Sequence, residues 1–145
     1  MQLARAYSAL ANGGKLIRPY IVERALPAQI FEENFGGRVI SAKTASQITS
    51  MLVSVVDNGF AKRAKIPGYY IAGKTGTAQV AERGVYSPDK TVQSFAGFFP
   101  AFHPQFLILV KLDNPQTKTA EYSAVPIFHD LAEYIINLYQ IPPDY

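Results

Sequence analysis

The chain has 145 residues, 48% hydrophobic and 17% charged, which bounds it to one soluble globular domain able to bury a core. Its formal net charge is +3, but the basic residues are scattered apart from Lys62, Arg63 and Lys65, so nucleic acid is not an expected partner. The absence of cysteine excludes disulfides and thiolate metal sites, and no stretch approaches the roughly 18 apolar residues of a membrane span or has the make-up of an export signal.

Leu3, Ala6, Tyr7, Leu10 and Ala11 recur at helical spacing until Asn12-Gly13-Gly14, whose residues tolerate the positive φ that stops a helix. Met1 runs straight into this helix without an N-cap, so the chain reads as starting inside a domain. From Leu16 to Ala25 β-rich residues surround Pro19, which suggests an edge strand or a bulge, and Gln29 to Gly37 reads as an irregular connection. Ser41 or Thr44 can cap a second helix, with Gln47 at capping-box spacing from Thr44. Its expected apolar face is Ile48, Met51, Leu52, Val55 and Val56, and Asn58-Gly59 ends it.

Pro67-Gly68 predicts a turn and Tyr69 to Val80 a strand. A polar loop over Glu82 to Lys90 is expected next, then a strand from Val92 to Phe99, a connection over Pro100 to Pro104, and an apolar strand from Phe106 to Leu112. A last helix carries the stripe Val125, Phe128, Leu131, Ala132, Ile135, Leu138 and Tyr139, and Pro142-Pro143 terminates it. The fold class is therefore α+β, an antiparallel sheet with helices packed on it. If the first and last helices pack on one face of the sheet, the middle helix is the candidate for the other.

Chemistry concentrates in Ile71 to Val80, I-A-G-K-T-G-T-A-Q-V. Gly68 to Thr75 matches the P-loop pattern of a nucleotide-binding protein, but a P-loop needs an apolar strand before the first glycine and a helix after the threonine. Polar Lys62 to Pro67 precede it and Gly76-Thr77-Ala78-Gln79-Val80 follow, so this P-loop NTPase reading is the weaker alternative. On a strand at a cleft edge, Lys74 offers positive charge to a carboxylate or assists proton transfer, and the Thr75 and Thr77 hydroxyls can donate to a carboxylate. Gly76 lets a ligand approach closely, and a backbone N–H beyond it can face a developing oxyanion.

K-T-G does not stand alone. Gln2 to Tyr7 with Ala11 to Gly14, then Pro67-Gly68, Ala72 to Gln79, Ser94 to Pro100 and Asp113-Asn114-Pro115 resemble, in order, the C-terminal part of the transpeptidase domain of class B penicillin-binding proteins, the division type and its elongation relatives. The resemblance implies part of a penicillin-binding protein and serine β-lactamase-like fold, and a serine D,D-transpeptidase that cross-links peptidoglycan stem peptides through an acyl-enzyme and is acylated by β-lactams. It implies catalytic roles for Lys74, which orders the active-site hydrogen bonds, and Thr77, which lends its N–H to the oxyanion hole. It implies substrate binding by Thr75, Gly76 and Thr77. No cofactor or metal is implied. Partners would be the stem peptide, β-lactam inhibitors and cell-wall synthesis or division proteins, at the extracytoplasmic face of the cytoplasmic membrane.

The family's nucleophile comes from S-x-x-K and a second serine from S-x-N. The only S-x-x-K here is Ser87 to Lys90, after K-T-G in the expected polar loop, and S-x-N does not occur. The chain thus reads as a C-terminal portion, residues 1–145, inactive alone, with a non-catalytic binding module of the same fold as an alternative. Phe60 follows Gly59 where the family commonly has a small or hydroxyl residue. His103 and His129 read as surface or helix-face residues rather than triad members, Glu82, Arg83, Asp89 and Lys90 as a solvated loop, and Phe95, Phe98, Phe99 and Phe102 as core and hairpin packing.

Overall fold

The computed structural model describes residues 1–19, 37–82 and 84–145. The expected strand from Leu16 to Ala25 and the connection after it lie largely outside the described residues.

Helix α1 spans Gln2–Ala11 and α2 spans Ala42–Asn58. Ser41 caps α2 by accepting the Thr44 N–H on its hydroxyl at 3.0 Å, which satisfies one of the amides that a helix start leaves without a partner. The buried face of α2 is Ala45, Thr49, Val53 and Val56, with Leu52 and Val55 partly buried. This corrects the expected face: Met51 is 66% exposed, and small Ala45 and Thr49 take positions from which the helix approaches its neighbours closely. In α1 the buried residue is Ala9, while Leu3 is exposed.

The turn at Pro67-Gly68 is closed by the Tyr69 N–H on the Ile66 carbonyl at 3.1 Å. Three strands follow, β1 (Ala72–Glu82), β2 (Val85–Phe99) and β3 (Phe106–Asp113), in an antiparallel sheet of order β1-β2-β3. The expected polar loop over Glu82 to Lys90, of which Arg83 lies outside the described residues, is instead largely part of the hairpin: Ala81 pairs with Tyr86 and Glu82 with Val85, while a register shift between Gln79 and Ala81 leaves Ser87 to Lys90 without partners on β1. Ladder hydrogen bonds hold an exposed ribbon without an apolar face, so polarity alone did not mark a loop there.

Helix α3 (Ala124–Tyr139) closes the fold. It buries Ala124, Val125, Phe128, Ala132 and Ile136; Leu131, Leu138 and Tyr139 of the expected stripe are exposed. Phe128 lies edge-on to Phe95 at 4.7 Å between ring centroids and to Phe99 at 6.0 Å, which anchors α3 on one face of β2. On the other face Ala72, Phe98 and Leu107 pack with Leu10 and Ala11 of α1 and Leu52 and Val53 of α2. The first helix therefore joins the middle helix, not the last one, and the sheet is covered on both sides.

After α3 the chain returns to the start of β1. Tyr69 donates its hydroxyl to the Ile141 carbonyl at 2.6 Å, the Tyr70 N–H donates to the Asp144 carboxylate at 2.7 Å, and the Asp144 N–H donates to the Gly68 carbonyl at 2.7 Å. Among the described residues no helix is long and apolar enough to cross a membrane.

Candidate functional site

Lys74, Thr75, Gly76 and Thr77 all lie in β1, opposite Ala96, Phe95, Ser94 and Gln93 of β2. Strand β1 is the outer strand of the described sheet, so its second edge is left unpaired by the ladder. Its position is set from its buried start, where Ile71, Ala72 and Gly73 are covered, and burial falls away from Lys74 onward.

Alternation along a strand divides the motif between two faces. Thr75 and Thr77 share one face; with Phe60, Thr119, Ala120 and Glu121 they line a cavity of about 280 Å³. Lys74 belongs to the other face, yet its ammonium curls over the strand edge and donates to the Thr75 carbonyl at 2.9 Å, 3.4 Å from the Thr75 hydroxyl. At Gly76 a Cβ would lie 2.7 Å from the Ser94 hydroxyl across the ladder, so a larger residue there would require that serine side chain to turn.

The far wall of the cavity is a short 3-10 turn, Ala120–Tyr122. Its Ala120 N–H donates to the Thr77 hydroxyl oxygen at 3.2 Å, leaving that hydroxyl's proton free to be donated elsewhere. Behind the turn, fully buried Gln93 bonds to Thr117 and Ser123. Sequence reasoning missed Gln93 and the turn. The available signal was a polar residue in phase with Phe95 and Phe99 on the apolar run from Val92 to Phe99. Phe60, 80% exposed, also lines the cavity.

Other candidates are dispersed. Gly68 to Thr75 runs from a turn into a strand, with no helix after Thr75 to supply a P-loop's amides. Ser87-Pro88-Asp89-Lys90 lies in β2, where Ser87 accepts the Lys90 N–H on its hydroxyl and the Lys90 ammonium pairs with Glu82 at 2.5 Å. It does not open a helix. His103 is exposed in the link between β2 and β3, and His129 is half-buried on α3 with Nδ1 unbonded. Phe95, Phe98 and Phe99 are core, whereas Phe102 is half-exposed and edge-on to Tyr70. Among the described residues no group of three or more His, Cys, Asp or Glu side chains is placed to hold a metal ion.

A family model described as the penicillin binding protein transpeptidase domain matches residues 1–133. The chain belongs to this family. It is 36% identical to a peptidoglycan D,D-transpeptidase FtsI homolog of Mesostigma viride and 35% identical to the penicillin-binding protein PbpB of Mycolicibacterium smegmatis, over 99% and 98% of its length. It spans about a quarter of those relatives, 27% and 24% respectively. Among solved structures, the transpeptidase domain of penicillin-binding protein 3 from Burkholderia pseudomallei superposes with a TM-score of 0.82 at 32% identity, over 99% of this chain and 43% of that one. Penicillin-binding protein 3 of Mycobacterium tuberculosis, solved with aztreonam, gives a TM-score of 0.82 at 31% identity over 99% of this chain and 36% of that one. The α+β architecture, with helices on an antiparallel sheet, is that of these transpeptidase domains.

Proposed function

We propose that this chain is the C-terminal portion of a peptidoglycan D,D-transpeptidase domain and forms one wall of its active site. What carries the reading is K-T-G-T on an outer strand beside a cavity that Thr75 and Thr77 line. In the proposed reaction a serine from an S-x-x-K motif outside these residues attacks a carbonyl of a stem peptide and expels the residue beyond it. The acyl group then passes to an amine of a second stem peptide. A β-lactam enters the same first step and stays on the serine.

Lys74, already bent toward Thr75, supplies positive charge at the strand edge, where it orders hydrogen bonds and assists proton movement. The Thr75 hydroxyl donates to the substrate carboxylate, and the small Gly76 keeps the strand open to the extended peptide. The Thr77 N–H stabilises the oxyanion, the term on which acyl transfer depends most. The parent protein would act at the outer face of the cytoplasmic membrane, in division or elongation, with other cell-wall synthesis proteins as partners.

Fluorescent penicillin tests this reading on a denaturing gel. The full-length protein is expected to label and the 145-residue chain to stay dark. Labelling of the short chain at Ser87 would overturn the division of labour; a folded full-length protein that stays dark would leave a binding module of the same fold.

A further inference from the structure

The cavity wall opposite Thr75 and Thr77 is fastened to a buried amide to which the reaction above gives no role. Gln93 is fully buried and uses its whole hydrogen-bonding capacity. Its amide nitrogen donates to the Thr91 hydroxyl at 3.0 Å and the Thr117 carbonyl at 2.6 Å; its oxygen accepts from the Thr117 hydroxyl at 3.0 Å and the Ser123 hydroxyl at 2.5 Å. Thr117 and Ser123 flank the turn that carries Thr119, Ala120 and Glu121, the residues that face Thr75 and Thr77 across the cavity. Gln93 is also the ladder partner of Thr77, so the loop is tied to the strand pair directly behind the site.

We propose that Gln93 is a positioning residue: by holding both flanks of the turn it sets the width of the cavity and the orientation of the Ala120 N–H toward Thr77. The physical ground is the cost of leaving a buried amide unpaired, which makes one loop geometry preferred over its neighbours. The functional part of this inference rests on the transpeptidase reading, since it supposes that Thr75 and Thr77 meet substrate; the geometric part does not.

The two parts are tested separately. In the 145-residue chain, Gln93→Leu is expected to raise the hydrogen exchange rate of the Ala120 amide about tenfold relative to amides of β3, as one to two lost hydrogen bonds would. Unchanged relative exchange overturns the geometric claim. Should Gln93→Leu not fold, Thr117→Val removes one of the same bonds, and Thr117→Ser is expected to restore the native rate; failure of that rescue also overturns it. In the full-length protein, Gln93→Leu is expected to slow penicillin acylation about tenfold, by the same free-energy conversion. Val53→Ala, a core change in the cluster on the other face of the sheet, is expected to label at the native rate. Acylation by Gln93→Leu at the native rate, in a protein whose wild type labels, overturns the functional claim. A wild type that never labels instead refutes the transpeptidase reading, and with it the functional part of this one, while the exchange result still decides the geometry.

Discussion

The two ends of the β1–β2 ribbon are built by different means. At the near end, where Ala72 faces Phe98 and Thr75 faces Phe95, packed side chains cover both faces of the sheet. At the far end, where Ala81 faces Tyr86 and Glu82 faces Val85, side chains are exposed and the ladder plus the Lys90–Glu82 pair hold the strands together. The K-T-G-T residues sit where the first regime gives way to the second. Their backbone inherits precision from the core while their side chains reach solvent, as a preorganised site requires.

The largest effect is expected at the near end. Phe128→Ala removes the ring that touches Phe95 and Phe99 and should cost about 3–5 kcal/mol in urea unfolding. Gly73→Ala brings a Cβ to 2.4 Å from the Phe95 ring, and the strain should lower stability by about 1–3 kcal/mol in the same assay. Asp144→Ala leaves the Tyr70 N–H at the entry to β1 without its acceptor; a loss of about 1–2 kcal/mol is expected, together with faster exchange of that amide. At the far end, Glu82→Gln breaks an exposed ion pair and should change stability by less than about 1 kcal/mol. A Glu82→Gln loss as large as that of Gly73→Ala would break the contrast between the two ends.

Much of this architecture is legible in the sequence. The three helices, the meander and the K-T-G strand follow from apolar periodicity and from the glycine and proline punctuation, because those signals report burial directly. What escapes is burial by small or polar residues. Ala45 and Thr49 face inward on α2 while Met51 faces out, since close approach rather than hydrophobicity selects that face. The far half of the hairpin is invisible for the opposite reason: it buries little and is held by backbone bonds that need no apolar side chains. Gln93 hides because its partners, Thr117 and Ser123, are distant in sequence and join it only after folding. K-T-G itself marks the candidate strand, but not that Lys74 leaves on one face and returns over the edge to Thr75.

The central claim is that β1 forms the working wall of an acyl-transfer site. Its most direct test is the second-order rate of penicillin acylation in the full-length protein carrying Lys74→Ala, with folding checked by thermal unfolding. Lys74 is exposed and, among the described residues, its ammonium bonds to Thr75 alone, so stability should be nearly native, while acylation should fall by about a hundredfold or more. Native-rate acylation in that folded variant would contradict the account.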